Sequence, residues 1–301
     1  MSILKNAIKK ILRILGYEIH KISKLNSQPI PESNNDLDMY LKYYPKNSVD
    51  KKRFYNIGAG TFRHKYWTNI DLRSDWYSES QIGSDMINYD LFSLEPLPIE
   101  NFCTEVVYTS HTVEHITNEA AQNMFDESYR ILKSGGIFRL TTPDIDLYYK
   151  AFKNNDKNFF WWVDLYSTEN VCKKLNIYPF KQFSLAQVFL FIFATHLSKI
   201  VRDTTIEKYS DKEIVNIFNN NKYEDALNLI VSKCTIDIQR KYFGYHMNWW
   251  NWEKTKKMLE KTGFKEIYKS GYGQSVSPVM RDTLLFDKQD PKDSLYIEAV
   301  K

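Results

Sequence analysis

The sequence predicts an α/β fold, a doubly wound and mostly parallel sheet interrupted by a helical insertion. Three observations carry that expectation. First, residues 53–72 (RFYNIGAGTFRHKYWTNIDL) place a short apolar run before Gly58-Ala59-Gly60, and a second short run ends on Asp71. Second, short β-prone runs and one amphipathic helical stretch alternate from 84 to 142, the pattern of strands joined by crossovers. Third, residues 145–250 lack strand alternation, after which a last helix and two strand-like runs complete the chain.

The opening stretch organises the rest. Phe54, Tyr55 and Ile57 suit a buried strand, and the glycine pair after them suits a turn with positive φ that a ligand can approach closely. Asp71, with Leu72 behind it, ends the next strand. A carboxylate there can accept from two vicinal hydroxyls. Only ten residues separate Gly60 from Asp71, so a crossover helix must be abbreviated or replaced by a turn. Arg63, His64 and Lys65 fall in that turn.

Residues 84–90 (SDMINYD) form a candidate third strand ending on Asp90, and Leu91 follows it. Pro96 and Pro98 break the chain before a fourth strand over 104–110 (TEVVYTS). His111-Thr112-Val113-Glu114-His115 follows its C-terminal end. The periodicity of Ala121, Met124, Phe125, Tyr129 and Leu132 predicts a helix over 118–133, stopped by Ser134-Gly135-Gly136. Residues 137–142 make the fifth strand, closed by Pro143-Asp144. Ligands of such sheets bind beyond the C-terminal strand ends, where Asp71, Asp90, Ser110 and His111 fall.

Five segments are expected: a basic amphipathic helix over 1–24, a linker over 25–52, a first half of the sheet domain over 53–144, the helical insertion over 145–250, and a closing part over 251–301. In the first segment Ile3, Leu4, Ile8, Ile11, Leu12 and Leu15 share one helical face, opposite Lys5, Lys9, Lys10 and Arg13. Packing on its own domain or on a second copy is the commoner fate of such a helix. Peripheral contact with an anionic membrane is the alternative. The run 185–197 (LAQVFLFIFATHL) is too short to span a bilayer and reads as a buried or subunit-facing helix.

Composition excludes several classes. The 301 residues are 43% hydrophobic and 26% charged with net charge +4, a globular composition without a concentrated basic stripe outside 1–24. No Asp/Asn-Pro-Pro-Tyr motif is present, so nucleic acid is not expected as a substrate. Cys103, Cys172 and Cys234 are scattered, which argues against a disulfide frame or a zinc-ligand spacing and for a reducing cytoplasm. There is no cleavable signal peptide and no run of about 18 apolar residues. A nicotinamide-binding reading fails because Arg63 occupies the place of a third glycine and the acid comes too early.

With these residues in view, the sequence resembles the class I S-adenosylmethionine-dependent methyltransferases, and within them the bacterial branch associated with sugar and surface-glycan pathways. YNIGAG, WTNIDL, YDLFSLEPLP, TSHTVEHI and RILKSGGIFRLTTPD carry the resemblance, joined by GQSVSPVMRDTLLFD and SLYIEAVK. It covers roughly residues 53–150 and 242–301. It implies a Rossmann-like, seven-stranded sheet with a reversed last hairpin and S-adenosylmethionine as cofactor. Asn56, Gly58, Ala59 and Gly60 match the loop behind the methionine and ribose. Asp71 and Leu72 match the ribose site, and Asp90 and Leu91 the adenine site. Ser110 and His111 match the strand end beside the transferable methyl. The expected reaction is O-methylation of a sugar or other small acceptor; a cofactor-binding but non-catalytic relative that serves partners is the alternative.

An oxygen acceptor benefits from a base with a pKa near neutrality, which favours histidine. His111 and His246, the latter in GYHMNWW, are the catalytic candidates; His115 is read as structural. A metal site from Glu114, His115 and His111 is chemically open but lacks clearly spaced ligands, and no metal is expected. Asp144, Tyr245, Asn248, Trp249 and Arg281 are candidate acceptor contacts, although a buried aromatic core is the commoner fate of the rings, and an ion pair with Asp282 is the default for Arg281. A homodimer and peripheral placement on the inner membrane face remain open at this stage.

Overall fold

The computed structural model describes residues 34–74 and 86–301. The expected basic helix over 1–24 lies outside the described residues, as do Ser84 and Asp85 of the expected third strand. Residues up to Met39 and residues from Tyr40 onward form separate units, and the described part of the first is the opening of helix α1 (Asn34–Tyr43).

The second unit is built on a seven-stranded sheet in the order β3-β2-β1-β4-β5-β7-β6. Its strands are β1 (Phe54–Ile57), β2 (Thr68–Asp71), β3 (Met86–Asn88), β4 (Thr104–Ser110), β5 (Leu132–Pro143), β6 (Glu266–Lys269) and β7 (Ser294–Val300). The first five are parallel, and β7 runs antiparallel between β5 and β6. Chain order reverses beside β1, so β1 and β4 flank the crevice where doubly wound sheets place ligands. All four residues of β1 are buried, as a strand covered on both faces requires.

Alternation along the strands sorts side chains to two faces. Tyr55, Ile57, Val107, Phe138 and Leu140 pack under helices α3 (Asn118–Ile131) and α10 (Trp252–Thr262). Phe54, Val106, Tyr108 and Ile137 face the other way, against Val49 of the short helix α2 (Lys46–Asp50), Trp67 and Phe286. Residues 58–67 run as turns, so an aromatic cluster of Phe62, Tyr66 and Trp67 stands where a crossover helix would cover the sheet.

Local chemistry explains most helix boundaries. Thr117 caps α3 by accepting the Ala120 N–H at 3.1 Å, and Asn251 caps α10 by accepting that of Lys254 at 2.9 Å. Gly263 ends α10 at φ +117°, a conformation open to glycine. The end of α3 differs from the sequence expectation. It stops at Ile131 without a glycine cap, because Leu132 already turns extended and opens β5. Ser134-Gly135-Gly136 lie inside β5 at an irregularity, where Gly135 adopts φ +77° and pairs with the chain end through Lys301.

Residues 145–250 hold helices α4 (Ile145–Lys153), α5 (Glu169–Lys174), α6 (Leu185–Phe193), α7 (Asp211–Asn220), α8 (Tyr223–Val231) and α9 (Ile236–Lys241), with short 3-10 turns between them. They share a core of their own, centred on the nearly all-buried α6. Among the described residues no helix is long and apolar enough to cross a membrane.

The C-terminal part is locked to the sheet by Arg139 of β5, which is fully buried. Its Nε donates to Asp287 Oδ1 at 3.0 Å, Nη1 to Ser270 Oγ at 2.9 Å, and Nη2 to the Gly271 carbonyl at 2.9 Å; Glu298 of β7 lies 3.3 Å from Nη1. Replacing Arg139 with Met leaves Asp287 and Glu298 buried without their cation. Denaturant unfolding of Arg139→Met should therefore lose about 3–5 kcal/mol, and a loss under about 1 kcal/mol would show that this network does not hold the hairpin.

Asp144 ends β5 and caps α4, accepting the Asp146 N–H at 3.1 Å. Burial, and then the neighbouring Asp146 carboxylate, push its carboxyl up from 3.8 to about 6. A raised acid favours the fold below its ordinary value, and that contribution is lost as pH rises through about 6. Asn caps equally well and carries no charge. The melting temperature of Asp144→Asn should match wild type below about pH 4, exceed it increasingly up to about pH 6 and keep a constant excess above that; a difference independent of pH would contradict the assignment.

Candidate cofactor cleft and acceptor cavity

The turn after β1 is shaped by close backbone approach. Gly58 sits at φ +69°, and a Cβ there would lie 2.2 Å from Thr112 Oγ1. Neither the conformation nor the space admits a side chain. Gly60 donates its N–H to Asp71 Oδ2 at 2.6 Å, and Leu72 donates to Asp71 Oδ1 at 2.8 Å. Two facing strand ends are thereby fixed, and each carboxylate oxygen keeps a lone pair for another donor. Burial raises the Asp71 pKa, and the two N–H bonds oppose that rise.

A cleft of about 670 Å³ opens here, lined by Gly58, Asp71, Leu72, Asp90, Leu91 and His111 with apolar walls from Ile70, Tyr89, Phe92, Ile116 and Phe243. Asp90 caps the turn Leu91–Ser93 through the Phe92 N–H at 2.9 Å. Its other oxygen takes Arg240 of α9 at 2.8 Å. Gln239, beside Arg240, is buried on the same wall, and its Oε1 has no hydrogen-bond partner among the described residues. A second hollow continues past the glycine turn and is lined by Asn56, Ala59, Gly60, Ser110 and His111. Asn56 Oδ1 is likewise buried and unmatched among the described residues. These features fit an adenosine with a zwitterionic tail: acids at two depths, an apolar slot between them, and an orphan acceptor at the glycine end.

His111 closes the far end. Its backbone adopts φ +50°, unusual for a residue with a Cβ, while its N–H still pairs with the Thr141 carbonyl at 2.9 Å. Ser110 Oγ is tied to Thr141 Oγ1 at 2.8 Å. The His111 ring is buried, with Nε2 2.9 Å from Ser294 Oγ and Nδ1 3.2 Å from Glu114 Oε1. Burial disfavours its charged form, but contact with Glu114 outweighs that and holds its pKa above the ordinary value. Glu114 shows the converse. Burial would raise it, yet His111, His115 and His246 draw its carboxyl down to about 2.

Behind His111 lies a third cavity, of about 960 Å³, which shares His111 and His115 with the cleft. Tyr148, Trp162, Tyr166 and Phe180 of the insertion line it with Asp290 and Asp293, and His246 sits in its wall. The Tyr148 hydroxyl donates to Asp293 Oδ2, while Asp293 Oδ1 has no hydrogen-bond partner among the described residues. His246 is held by its Nδ1 at 2.5 Å from the Ile192 carbonyl. Burial, then His115, lowers its pKa to about 4, which keeps the ring neutral.

The structure thus gathers Asn56, Gly58, Ala59, Gly60, Asp71, Leu72, Asp90, Leu91, Ser110 and His111 around two continuous hollows, with His246 one cavity further on. The other sequence candidates stand elsewhere. Tyr245 is buried, its hydroxyl donating to the Leu175 carbonyl at 2.8 Å. Asn248 is buried and donates to the Ile116 carbonyl and Asn118. Trp249 donates to Asn228 beside Lys254, on a separate cleft. Arg281 braces its own loop by donating to the Ser275 and Val276 carbonyls, and Asp144 caps α4 rather than lining the acceptor cavity. Thr112, Gln239, Arg240, Phe243 and Asp293 were not foreseen. All but Thr112 come from segments remote in sequence; the Thr112 signal, a small residue one position past His111, is meaningful only once Gly58 is seen against it.

Residues 62–140 match the family described as a methyltransferase domain. No curated protein sequence matches the chain. Similar solved structures include an S-adenosylmethionine-dependent methyltransferase from Thermotoga maritima, 12% identical, covering 83% of this chain and 82% of its own at a TM-score of 0.36. Others come from Archaeoglobus fulgidus, at 11% identity, 82% and 85% coverage and TM-score 0.37, and from Mesorhizobium loti, at 12%, 83% and 90%, and 0.37. The stretch similar to a methyltransferase domain runs from before β2 into β5, the strands that lead to Asp71, Asp90 and His111, and methyl transfer from S-adenosylmethionine is the activity that this similarity supports.

Proposed function

We propose that the enzyme methylates a hydroxyl oxygen of a small polyhydroxylated acceptor, a sugar of the kind used in glycan assembly. The observation that carries this is the cavity behind His111. Aromatic rings and the Asp290 and Asp293 carboxylates line it together, which suits an acceptor with flat apolar faces and hydroxyl edges.

S-adenosylmethionine supplies an activated sulfonium methyl, so the chain's own work is alignment, exclusion of water and handling of one proton. Asp71 and Asp90 fix the adenosine end, and the glycine turn admits the tail. At the shared wall, His111 is oriented by Glu114 at Nδ1, and Nε2 becomes the basic nitrogen once Ser294 turns its hydroxyl away from the Asp290 carbonyl that it meets at 2.8 Å. Nε2 takes the acceptor proton, and the buried Glu114 carboxylate stabilises the resulting imidazolium, consistent with the raised pKa of that ring. The insertion serves as the acceptor lid. Its α9 also reaches the cofactor side, where Arg240 holds Asp90. The basic helix expected over 1–24 belongs to the same reading, as a peripheral hold near the membrane where glycans are assembled.

Calorimetric titration with S-adenosylhomocysteine tests the foundation, and Asp71→Ala should weaken binding by about 1–3 kcal/mol, the range for losing a charged hydrogen bond. Labelled methyl transfer to a panel of free and nucleotide-linked sugars tests the acceptor. His111→Asn should then lower kcat by about 10²–10⁴ with cofactor binding retained. Transfer to amines but to no hydroxyl would overturn the oxygen assignment.

A further inference from the structure

Glu114 and His115 are neighbours on the turn after β4, and His246 arrives from the end of the insertion. Among the described residues these three form a group whose ligand-type atoms all lie within 4.8 Å of one another. The hydrogen bonds around them fix which nitrogens are available. His115 Nδ1 lies 2.8 Å from the Tyr245 carbonyl, and His246 Nδ1 lies 2.5 Å from the Ile192 carbonyl. A carbonyl only accepts, so each Nδ1 carries the proton and each Nε2 is left with a bare lone pair. The two rings meet edge to face with centroids 4.7 Å apart. Two imidazoles sharing a tetrahedral ion through nitrogen at about 2.1 Å have centroids about 5 Å apart.

Glu114 supplies the independent observation. Its side chain is 2% exposed; Oε1 meets His111 Nδ1 at 3.2 Å and keeps a further lone pair. Oε2 accepts from Thr142 Oγ1 at 3.1 Å and keeps a second lone pair. With Nδ1 of each ring turned to a carbonyl, a cation held among the three groups would take Nε2 of both rings and a carboxylate oxygen, and would join His111 in matching the buried charge. A backbone carbonyl on the far nitrogen of each ring is the outer support typical of metal-bound histidine.

We propose that Glu114, His115 and His246 bind one divalent transition-metal ion of the zinc type. The donor set of two imidazoles and one carboxylate leaves a coordination position open, as in catalytic rather than structural zinc sites. His115 and His246 both line the acceptor cavity, so the open position faces the acceptor. There the ion polarises the acceptor hydroxyl as a Lewis acid. The balance of the reaction is unchanged: the S–CH3 bond breaks, the O–CH3 bond forms, and the hydroxyl proton leaves to His111 Nε2 and then to solvent. The ion is neither oxidised nor consumed. The binding site stands on geometry alone, whereas this role for the ion rests on the methyl-transfer reading above.

The test uses the full chain, treated with chelator and titrated with zinc sulfate by calorimetry, then with Co2+ followed by visible absorption. Binding of S-adenosylhomocysteine is measured on the same samples as a report of fold and cofactor cleft. One ion per chain is expected. Glu114→Gln, His115→Ala and His246→Ala should each weaken zinc by more than about tenfold, since loss of even an outer partner costs about 10–100-fold. Should a variant not fold, histidine NMR of the wild type decides, because zinc must shift the Nε2 signals of His115 and His246. Wild-type protein that binds S-adenosylhomocysteine but neither ion, or a folded His246→Ala with undiminished zinc affinity, overturns the site and leaves the methyltransferase reading intact. Zinc binding without S-adenosylhomocysteine binding does the reverse.

Discussion

A buried carboxylate at Glu114 is the constraint around which the site is arranged. Removing a charge from water costs several kcal/mol unless it is matched, and here the matching groups come from every part of the unit. His111 and Thr142 supply contacts from the ends of β4 and β5. The Glu114 carbonyl accepts the N–H groups of Met247 and Asn248, which draws the end of the insertion onto the sheet. One residue therefore sets the position of the β4 terminus, the neighbouring strand and the returning chain. Because all three meet there, the cofactor cleft and the acceptor cavity share a wall instead of lying apart.

That wall also shows that the insertion is tied to both hollows. Its own core, centred on α6, makes it a stiff body, so fixing its end at Glu114 fixes the whole. Through α9 it then reaches the adenosine side, where Arg240 pairs with Asp90 and Gln239 shares a wall with Leu91 and Phe92. The partly exposed Arg240–Asp90 pair contributes little stability by itself. Its consequence is positional, since it ties the acceptor-side body to the acid that fixes one end of the cofactor.

Much of this was legible in the sequence because it rests on local chemistry. Gly58 and Gly60 mark a turn that only glycine tolerates, Asp71 and Asp90 end short strands, and the apolar runs give the sheet. The hidden part rests on distant pairing. Arg240, Gln239 and Asp293 look like ordinary surface or helix residues until folding carries them to the cleft and cavity. The end of α3 was misplaced for a related reason. Gly135 and Gly136 carry a helix-stop signal, yet the chain turns extended at Leu132 because pairing with β4 begins there, and the glycines serve an irregularity within β5 instead. Tertiary pairing overrode local propensity.

His111 shows where local and distant constraints meet. A left-handed backbone conformation would be relieved by glycine, and histidine there carries strain that the surrounding structure must offset. The Thr141 carbonyl on its N–H, Ser294 on Nε2 and Glu114 beside Nδ1 together hold it. A residue needed only to turn the chain would not require three partners from three elements. What the strained backbone achieves is to place an imidazole in the wall common to both hollows, with Nδ1 against Glu114 and Nε2 against Ser294. The costly conformation thus stands at the wall that the two hollows share, which is where the proposed transfer would need a proton removed.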